Sequence, residues 1–474
     1  MIRKNFALAL PFLLIGVVVS AQTANPAPAA AAPPQTMATQ PAQSPAPTPL
    51  QQPVPPLQVP TKGPLQRLTI QEAEALAFKN NPQISVYRLL YLASNQITRE
   101  QRAAYYPNVY GSLTAVEPND GSRIAAGNLN NPIVYERAAG GITMSQLITD
   151  FGRTHNLVAA AALRAKAANM NAAAAAEQIR LAVDEAFYNA LQAFALQQVA
   201  EQTVSARQLV SDQITTLFNN KLRSELDVSF ADANLAQAKL LLLDAQNNYQ
   251  AALSGLSQFL GYSSQHAFDL VDTETALTPP PNEVSQLETQ AFSNRPEIAA
   301  QSFQDEAAQH FQKAERDLLL PSIDALGTAG RTPYSSTING VSPFTTWYGA
   351  IGVNINVPIF NGFLYPARSR EASLRAQAEQ ENLRDLKDKI GNDVRTSWLN
   401  AITAYNRIGV SQQFLDQANL AINLSQTRYT LGLSSIVELS QAQLQQTQAQ
   451  IQFAAAKYQY QIAKSVLRFQ IAAP

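Results

Sequence analysis

The stretch Trp347-Tyr348-Gly349-Ala350-Ile351-Gly352-Val353-Asn354-Ile355-Asn356-Val357 alternates between two kinds of side chain. One side would carry tryptophan, glycine, isoleucine and valine, and the other would carry tyrosine, alanine, glycine and asparagine. A period of two over about 11 residues is typical of a β-strand with one apolar and one polar face. Strands of about 9–11 residues cross a bilayer at a tilt. The stretch therefore predicts a membrane-crossing strand.

Three further segments bring the predicted number of strands to four per chain. The segments after Pro107 and Pro321 alternate in the same way, and residues 140–148 do so more weakly. Residues 117–137 and 331–346 are rich in glycine, asparagine, proline and serine, which is typical of loops. We expect these loops to join the strands into two hairpins.

Aromatic residues cluster where these strands would end. Such clusters belong to the core in many soluble proteins, whereas strands of membrane-crossing length favour a belt at the membrane interface. The candidates for an aromatic belt are Tyr105, Tyr106, Phe151, Trp347, Phe360 and Phe363.

The chain also repeats itself. Asn81-Pro82-Gln83-Ile84 recurs as Arg295-Pro296-Glu297-Ile298, and Tyr106-Pro107 recurs as Leu320-Pro321 at the same spacing. We expect a first helix–strand–strand–helix repeat over residues 65–261, a linker over 262–284 and a second repeat over 285–474.

Very long helices should follow the strands in each repeat. No glycine or proline lies between Gly152 and Gly255, and no proline lies between Pro366 and Pro474. Residues 153–217 are therefore expected to form one helix on the order of 100 Å long, with an antiparallel partner from about residue 225 to 260. The predicted fold is mainly α with a small β part. A soluble coiled-coil rod is the alternative for the helical part alone.

The N-terminus has the features of an export signal. Arg3 and Lys4 precede an apolar stretch that is short for a membrane span, and Ser20-Ala21 provides small residues for cleavage. We expect residues 1–21 to be a signal peptide and 22–64, rich in proline, alanine and glutamine, to be a disordered segment. No cysteine is present, so an N-terminal lipid anchor is not expected.

Composition argues against several other classes of function. The 34 basic and 35 acidic residues nearly balance, so no nucleic-acid partner is expected. The chain has no cysteine, its three histidines lie far apart, and no common catalytic or nucleotide-binding motif occurs. We therefore expect no catalytic, metal or cofactor site, and no enzyme activity.

Four strands with a lipid-facing side cannot stand alone. An open sheet edge in hydrocarbon leaves unpaired N–H and C=O groups, and the smallest membrane barrels use about eight strands. Several chains must therefore share one barrel, and the helices would continue it as a tube into the periplasm.

Two further motifs carry a family resemblance. They are the strand-to-helix segment Val357-Pro358-Ile359-Phe360-Asn361-Gly362 and the turn segment Arg428-Tyr429-Thr430-Leu431-Gly432-Leu433-Ser434-Ser435-Ile436-Val437-Glu438-Leu439. Together with the two-copy plan, they make the chain resemble the TolC-type outer-membrane efflux protein (outer membrane factor) family. The resemblance implies a homotrimer in the lipid of the bacterial outer membrane, with a shared twelve-stranded transmembrane β-barrel and a long trimeric α-barrel.

The same resemblance implies the function. The chain would be the passive exit duct of a tripartite efflux or type I secretion system, working with a periplasmic adaptor (membrane fusion protein) and an inner-membrane pump. A periplasmic coiled-coil adaptor or envelope scaffold protein is the alternative.

The resemblance also implies a periplasmic gate at the helix turns. Glu438 and Gln441 match the two aspartates of the family's acidic ring, and Tyr429 and Asp227 match its tyrosine and neighbouring aspartate. The arginine of the best-known gate network is missing, and Arg223 offers a replacement in the first repeat. Solvated helix ends are the alternative for the acidic residues.

Contact with the adaptor is expected at the turns themselves. The candidates are Lys221, Gly432, Leu433 and Ser434; Ser434 stands at the position of the family's arginine, and Lys221 stands where a turn glycine is expected.

Overall fold

The computed structural model describes residues 66–117, 137–272, 277–335 and 347–473. The predicted signal peptide, the proline-rich segment up to residue 64 and most of both strand-connecting loops lie outside these residues.

The helices of the described residues form two sets of four, and each helix has a counterpart of the same length in the other set. The first set is α1 (Ile70–Asn80), α2 (Pro82–Arg102), α3 (Arg153–Asn219) and α4 (Glu225–Phe259); the second is α5 (Val284–Asn294), α6 (Pro296–Arg316), α7 (Leu364–Thr430) and α8 (Ile436–Gln470). Corresponding helices have 11, 21, 67 and 35 residues in both sets. The predicted mainly α fold and internal two-fold repeat are confirmed.

Local signals explain where the first helices begin and end. Thr69 and Glu72 form a capping box: Thr69 Oγ1 accepts from the Glu72 amide at 3.3 Å, and the Glu72 carboxylate accepts from the Thr69 amide at 2.9 Å. Asn81 precedes Pro82, so it stays extended and ends α1. Its side chain then caps α2, in which proline is the first residue.

The four predicted strands form one antiparallel sheet. They are β2 (Asn108–Val116), β3 (Arg137–Thr149), β5 (Ser322–Ser335) and β6 (Trp347–Asn356), ordered β2-β3-β5-β6. One expectation was wrong, because β5 continues through residues 331–335, which composition assigned to a loop. Those residues pair with β3, where Ser335 faces Arg137, so the ladder determines the strand despite the loop-like composition.

A second, shorter pair of strands was not predicted. β1 (Gln66–Leu68) and β4 (Phe268–Leu270) pair in parallel, although β4 lies in the predicted linker. Three residues are too few to show a period of two. Leu68 and Phe268 are buried in a core with α1, α3 and α4, so the pair ties the start of the first repeat to its end.

The four-stranded sheet leaves its apolar face uncovered. Leu113 is 89% exposed and Ile351 is 96% exposed. On the opposite face the phenol of Tyr348 lies across Gly141 and Gly330, with no room for a Cβ atom at either glycine. An apolar face of this kind needs an apolar environment, which the described part of the chain does not supply.

The helices of the two repeats pack into paired hairpins. α3 packs along α4, and α7 packs along α8. Among the described helices, α6 lies between α3 and α7, whereas its counterpart α2 packs mainly on α3.

Within the described residues, no helix combines the length and the apolar character needed to cross a membrane.

Candidate functional site

The two helix turns, residues 220–224 and 431–435, have the same backbone geometry. Lys221 and Gly432 occupy equivalent positions with φ of 61° and 73°, in the left-handed region. The amides of Leu222 and Leu433 then donate back to the last turn of the preceding helix at 2.9 and 2.8 Å. Both turns are therefore Schellman motifs. The left-handed conformation strains the lysine of the first turn but not the glycine of the second.

A serine begins the helix after each turn. Ser224 forms a capping box with Asp227, whose Oδ2 accepts from the Ser224 amide at 3.1 Å and from its hydroxyl at 2.9 Å. Ser435 Oγ accepts from the Glu438 amide at 3.3 Å, but the Glu438 carboxylate does not return the bond. Asp227 is therefore engaged by its own helix, while the Glu438 side chain reaches elsewhere.

Arg223 links the first turn to the end of α7. Its Nη2 donates to the main-chain carbonyl of Tyr429 at 2.7 Å, and its guanidinium lies 4.3 Å from the centroid of the Tyr429 ring. The structure thus brings together two of the candidates, Arg223 and Tyr429, from residues 206 positions apart in the chain. Asp227 makes no hydrogen bond to Tyr429.

The Tyr429 hydroxyl lies in an unusual environment. The residue is 5% exposed, and its hydroxyl has no hydrogen-bond partner among the described residues. Burial raises the pKa of Tyr429, the Arg223 guanidinium opposes this rise, and the Asp227 carboxylate adds to it. The buried Ser434 hydroxyl is likewise unpartnered, so serine does not replace the expected arginine.

Glu438 and Gln441 point into different surroundings. Glu438 Oε1 lies 3.7 Å from Arg428 Nη1, and both side chains remain largely exposed, so this pair is weak. Gln441 instead lines a cavity between α4 and α8. Sequence reasoning missed Arg428 as a partner, although it lies in the quoted turn segment. The two residues are neighbours only once the hairpin has closed.

Apolar side chains crowd the outside of both turns. The exposed ones are Leu222, Leu226, Leu431, Leu433 and Val437. A cavity of about 840 Å³ opens between the ends of α3 and α7, lined by Leu222, Arg223, Tyr429, Gly432 and Leu439 among others. The adaptor-contact candidates Lys221, Gly432, Leu433 and Ser434 thus lie on or beside an apolar surface that no other described residue covers.

The aromatic-belt candidates lie at both ends of the sheet. Tyr105, Tyr106, Phe151, Trp347, Phe360 and Phe363 are all exposed. Phe360 and Phe363 contact each other edge to face, with centroids 5.6 Å apart. The Arg331 guanidinium lies 5.2 Å over the Trp347 ring at the other end. Whether these residues form a belt stays a prediction.

Among the described residues no group of three histidine, cysteine, aspartate or glutamate side chains is arranged to hold a metal ion.

The two repeats each match a known family profile. Residues 74–262 and 287–472 match the outer membrane efflux protein family. The chain belongs to the outer membrane efflux protein family. The sequence-based recognition is confirmed, and the duct is favoured over the alternative of an adaptor or scaffold.

Individual relatives agree with this membership. The chain is 23% identical to outer membrane efflux protein BepC of Brucella suis, over 75% of this chain and 74% of the relative. It is 26% identical to protein CyaE of Bordetella pertussis, over 80% and 78%. Among solved structures, CusC has a TM-score of 0.74 at 19% identity, over 88% of this chain and 98% of that chain. The CusC structures were reported for the conformational changes that accompany folding and transmembrane channel formation.

The protein is therefore located in the bacterial outer membrane, as an exit duct for efflux or secretion. Its family is one of channels and ducts.

Proposed function

We propose that three copies of this chain close into one duct that conducts substrates passively from a periplasmic adaptor and an inner-membrane pump to the exterior, without catalysing a reaction. The observation that carries the proposal is the open four-stranded sheet with its uncovered apolar face. The number of three copies follows from the resemblance to the family, to which this chain belongs.

Among the strands that the structure describes, β2 and β6 are the two edges of the sheet and pair with no further strand. Every neighbouring pair is antiparallel, so β2 and β6 run in opposite directions. β6 of one copy can therefore pair antiparallel with β2 of the next. Joining edges in this way satisfies the backbone groups that lipid cannot, and three copies supply twelve strands.

The helices also support a closed trimer, because a contact made within one copy has an unfilled counterpart in the other repeat. α6 docks on α3 with Phe303 beneath the Lys166 ammonium and Phe311 beneath the Arg164 guanidinium, both at 5.6 Å. α6 also packs on α7, so it has a helix on each side.

α2 lacks the second of these neighbours. Its exposed Leu89 and Ile97 occupy the positions that Phe303 and Phe311 have in α6. If the copies follow the repeat, this face meets α7 of the next copy, and Ile97 lies near the partner's Arg375, the counterpart of Arg164. A helix with several exposed apolar residues and one empty side supports an interface of that kind.

Chemical cross-linking tests the arrangement. The double variant Ile97→Cys with Arg375→Cys, treated with a short bis-maleimide, is expected to give covalent trimers in the outer membrane. The matched control pairs Ile97→Cys with Val410→Cys, since exposed Val410 lies about 50 Å farther along α7. A cross-linked monomer, or equal yields from both pairs, would contradict the proposed trimer.

We also propose that Glu438 forms a cation-selective ring at the periplasmic end. Three copies of one carboxylate around an axis attract cations. Glu438→Gln should reduce cation selectivity and relieve block by trivalent cations in planar-bilayer recordings. Arg428→Gln is the opposite control, because it removes the cation 3.7 Å from Glu438 and should increase selectivity. If selectivity and block are unchanged in Glu438→Gln, Glu438 is a solvated helix end.

The adaptor is proposed to contact the turns around Lys221, Gly432, Leu433 and Ser434. The exposed leucines there support this, because apolar side chains at a tip need a covering partner. Replacing Leu433 with Glu should prevent co-purification of an adaptor with the tagged duct. Leu399→Glu, at an exposed leucine within α7 and far from the turns, should leave co-purification intact.

A further inference from the structure

Arg207 of α3 is a buried cation that no acidic side chain pairs with in the described part of the chain. Its side chain is 8% exposed, and among the described residues its one hydrogen bond runs from Nη2 to Thr447 Oγ1 at 3.5 Å. Burial lowers the pKa of Arg207 well below its usual value, to about 10. An unpaired buried charge of this kind destabilises a protein unless an anion neutralises it.

The guanidinium borders a cavity of about 620 Å³. Residues of α3, α4 and α8 line it. Its lining combines amide side chains, among them Asn234, Gln237 and Gln448, with the apolar side chains of Phe230 and Leu444. No aspartate or glutamate lines this cavity. Its size lies within the range of small-molecule sites in proteins.

We propose that this cavity binds an amphiphilic organic monoanion, with its carboxylate on Arg207 and its apolar body against Phe230 and Leu444. A guanidinium presents paired N–H donors that match the two oxygens of a carboxylate. A single cation neutralises one negative charge, which favours a carboxylate over a doubly charged phosphate. The apolar wall then requires a ligand with a hydrocarbon or aromatic body. Gln441, a gate candidate, lines the same cavity, but the site is formed within one chain and needs neither the proposed trimer nor the Glu438 ring.

A pair of probes that differ only in charge tests the site. The full-length protein in non-ionic detergent would be titrated calorimetrically with 4-phenylbutyrate and with 4-phenylbutan-1-ol. The carboxylate is expected to bind at least tenfold more tightly than the alcohol, because its hydrogen bonds to Arg207 are charge-assisted. Arg207→Gln should abolish that difference, whereas Arg428→Gln, at an exposed arginine, should preserve it.

A second variant tests the cavity without changing Arg207, so that the test does not depend on Arg207→Gln folding correctly. Leu444→Trp fills the cavity without touching the charge, and it should weaken both probes at least tenfold. Equal binding of the acid and the alcohol to the unmodified protein, or an unchanged preference in Arg207→Gln, would overturn the proposal. So would loss of the oligomer in Arg207→Gln with no probe binding to the unmodified protein, since Arg207 would then pair with an acid of a neighbouring copy.

Discussion

Removing the guanidinium of Arg223 should loosen the contact between the two helix turns. In Arg223→Met the aliphatic stem remains, but the hydrogen bond to the Tyr429 carbonyl and the contact with its ring are lost. A hydrogen bond from a charged donor contributes about 1.5–3 kcal/mol, and a half-exposed cation over a ring adds about 0.5–1 kcal/mol. The Tyr429 carbonyl still accepts from the Gly432 amide at 3.0 Å, so no acceptor is orphaned and the lower values apply. We expect a loss of about 2 kcal/mol.

That loss corresponds to an increase of about 30-fold in the equilibrium constant for separating the turns. Hydrogen exchange measures it directly, as faster exchange in peptides covering residues 217–224 and 428–435 of the purified protein. Peptides from α1 serve as the internal reference. Tyr429→Phe is the matched control: it keeps the ring and the carbonyl and removes only a hydroxyl without a partner, so exchange should be unchanged. Unchanged exchange in Arg223→Met, or equal acceleration in Tyr429→Phe, would refute the link.

Three further outcomes are expected. Lys221→Gly should raise the free energy of unfolding by about 0.5–1 kcal/mol in thermal denaturation, because φ of 61° strains a side chain but not glycine. Asp184→Asn should raise the melting temperature at pH 8 much more than at pH 5. Burial raises the pKa of Asp184 from 3.8 to about 7, so the folded protein holds a proton that the unfolded chain releases, and stability falls as pH rises through that window. Gly330→Ala should lower the amount of assembled protein in the outer membrane, because its Cβ would collide with the Tyr348 phenol, whereas Gly352→Ala meets open space and should assemble normally.

Much of the fold was predictable because its signals are local. The alternation around Ile351 required only the period of two, and the long helices required only the absence of helix breakers. Proline at 82 and at 296 marked the same helix boundary in both repeats. The short strand at Phe268 escaped prediction because three residues show no period and its partner lies about two hundred positions earlier in the chain.

The candidate site was predictable only in part. The family motif identified Tyr429, and the missing arginine directed attention to Arg223, which does contact it. The pairing of Glu438 with Arg428 and the burial of Arg207 had no such signal. Each depends on how two helices come together in space, and neither residue type nor spacing along one helix records that.

The equal lengths of α3 and α7, 67 residues each, and of α4 and α8, 35 each, restrict how this protein can evolve. One inserted residue would rotate everything beyond it by about 100° and move one turn about 1.5 Å past the other, which would separate Arg223 from Tyr429. An insertion of about seven residues restores the rotation but displaces one tip by about 10 Å unless the other hairpin changes equally. The four long helices can therefore lengthen or shorten only together.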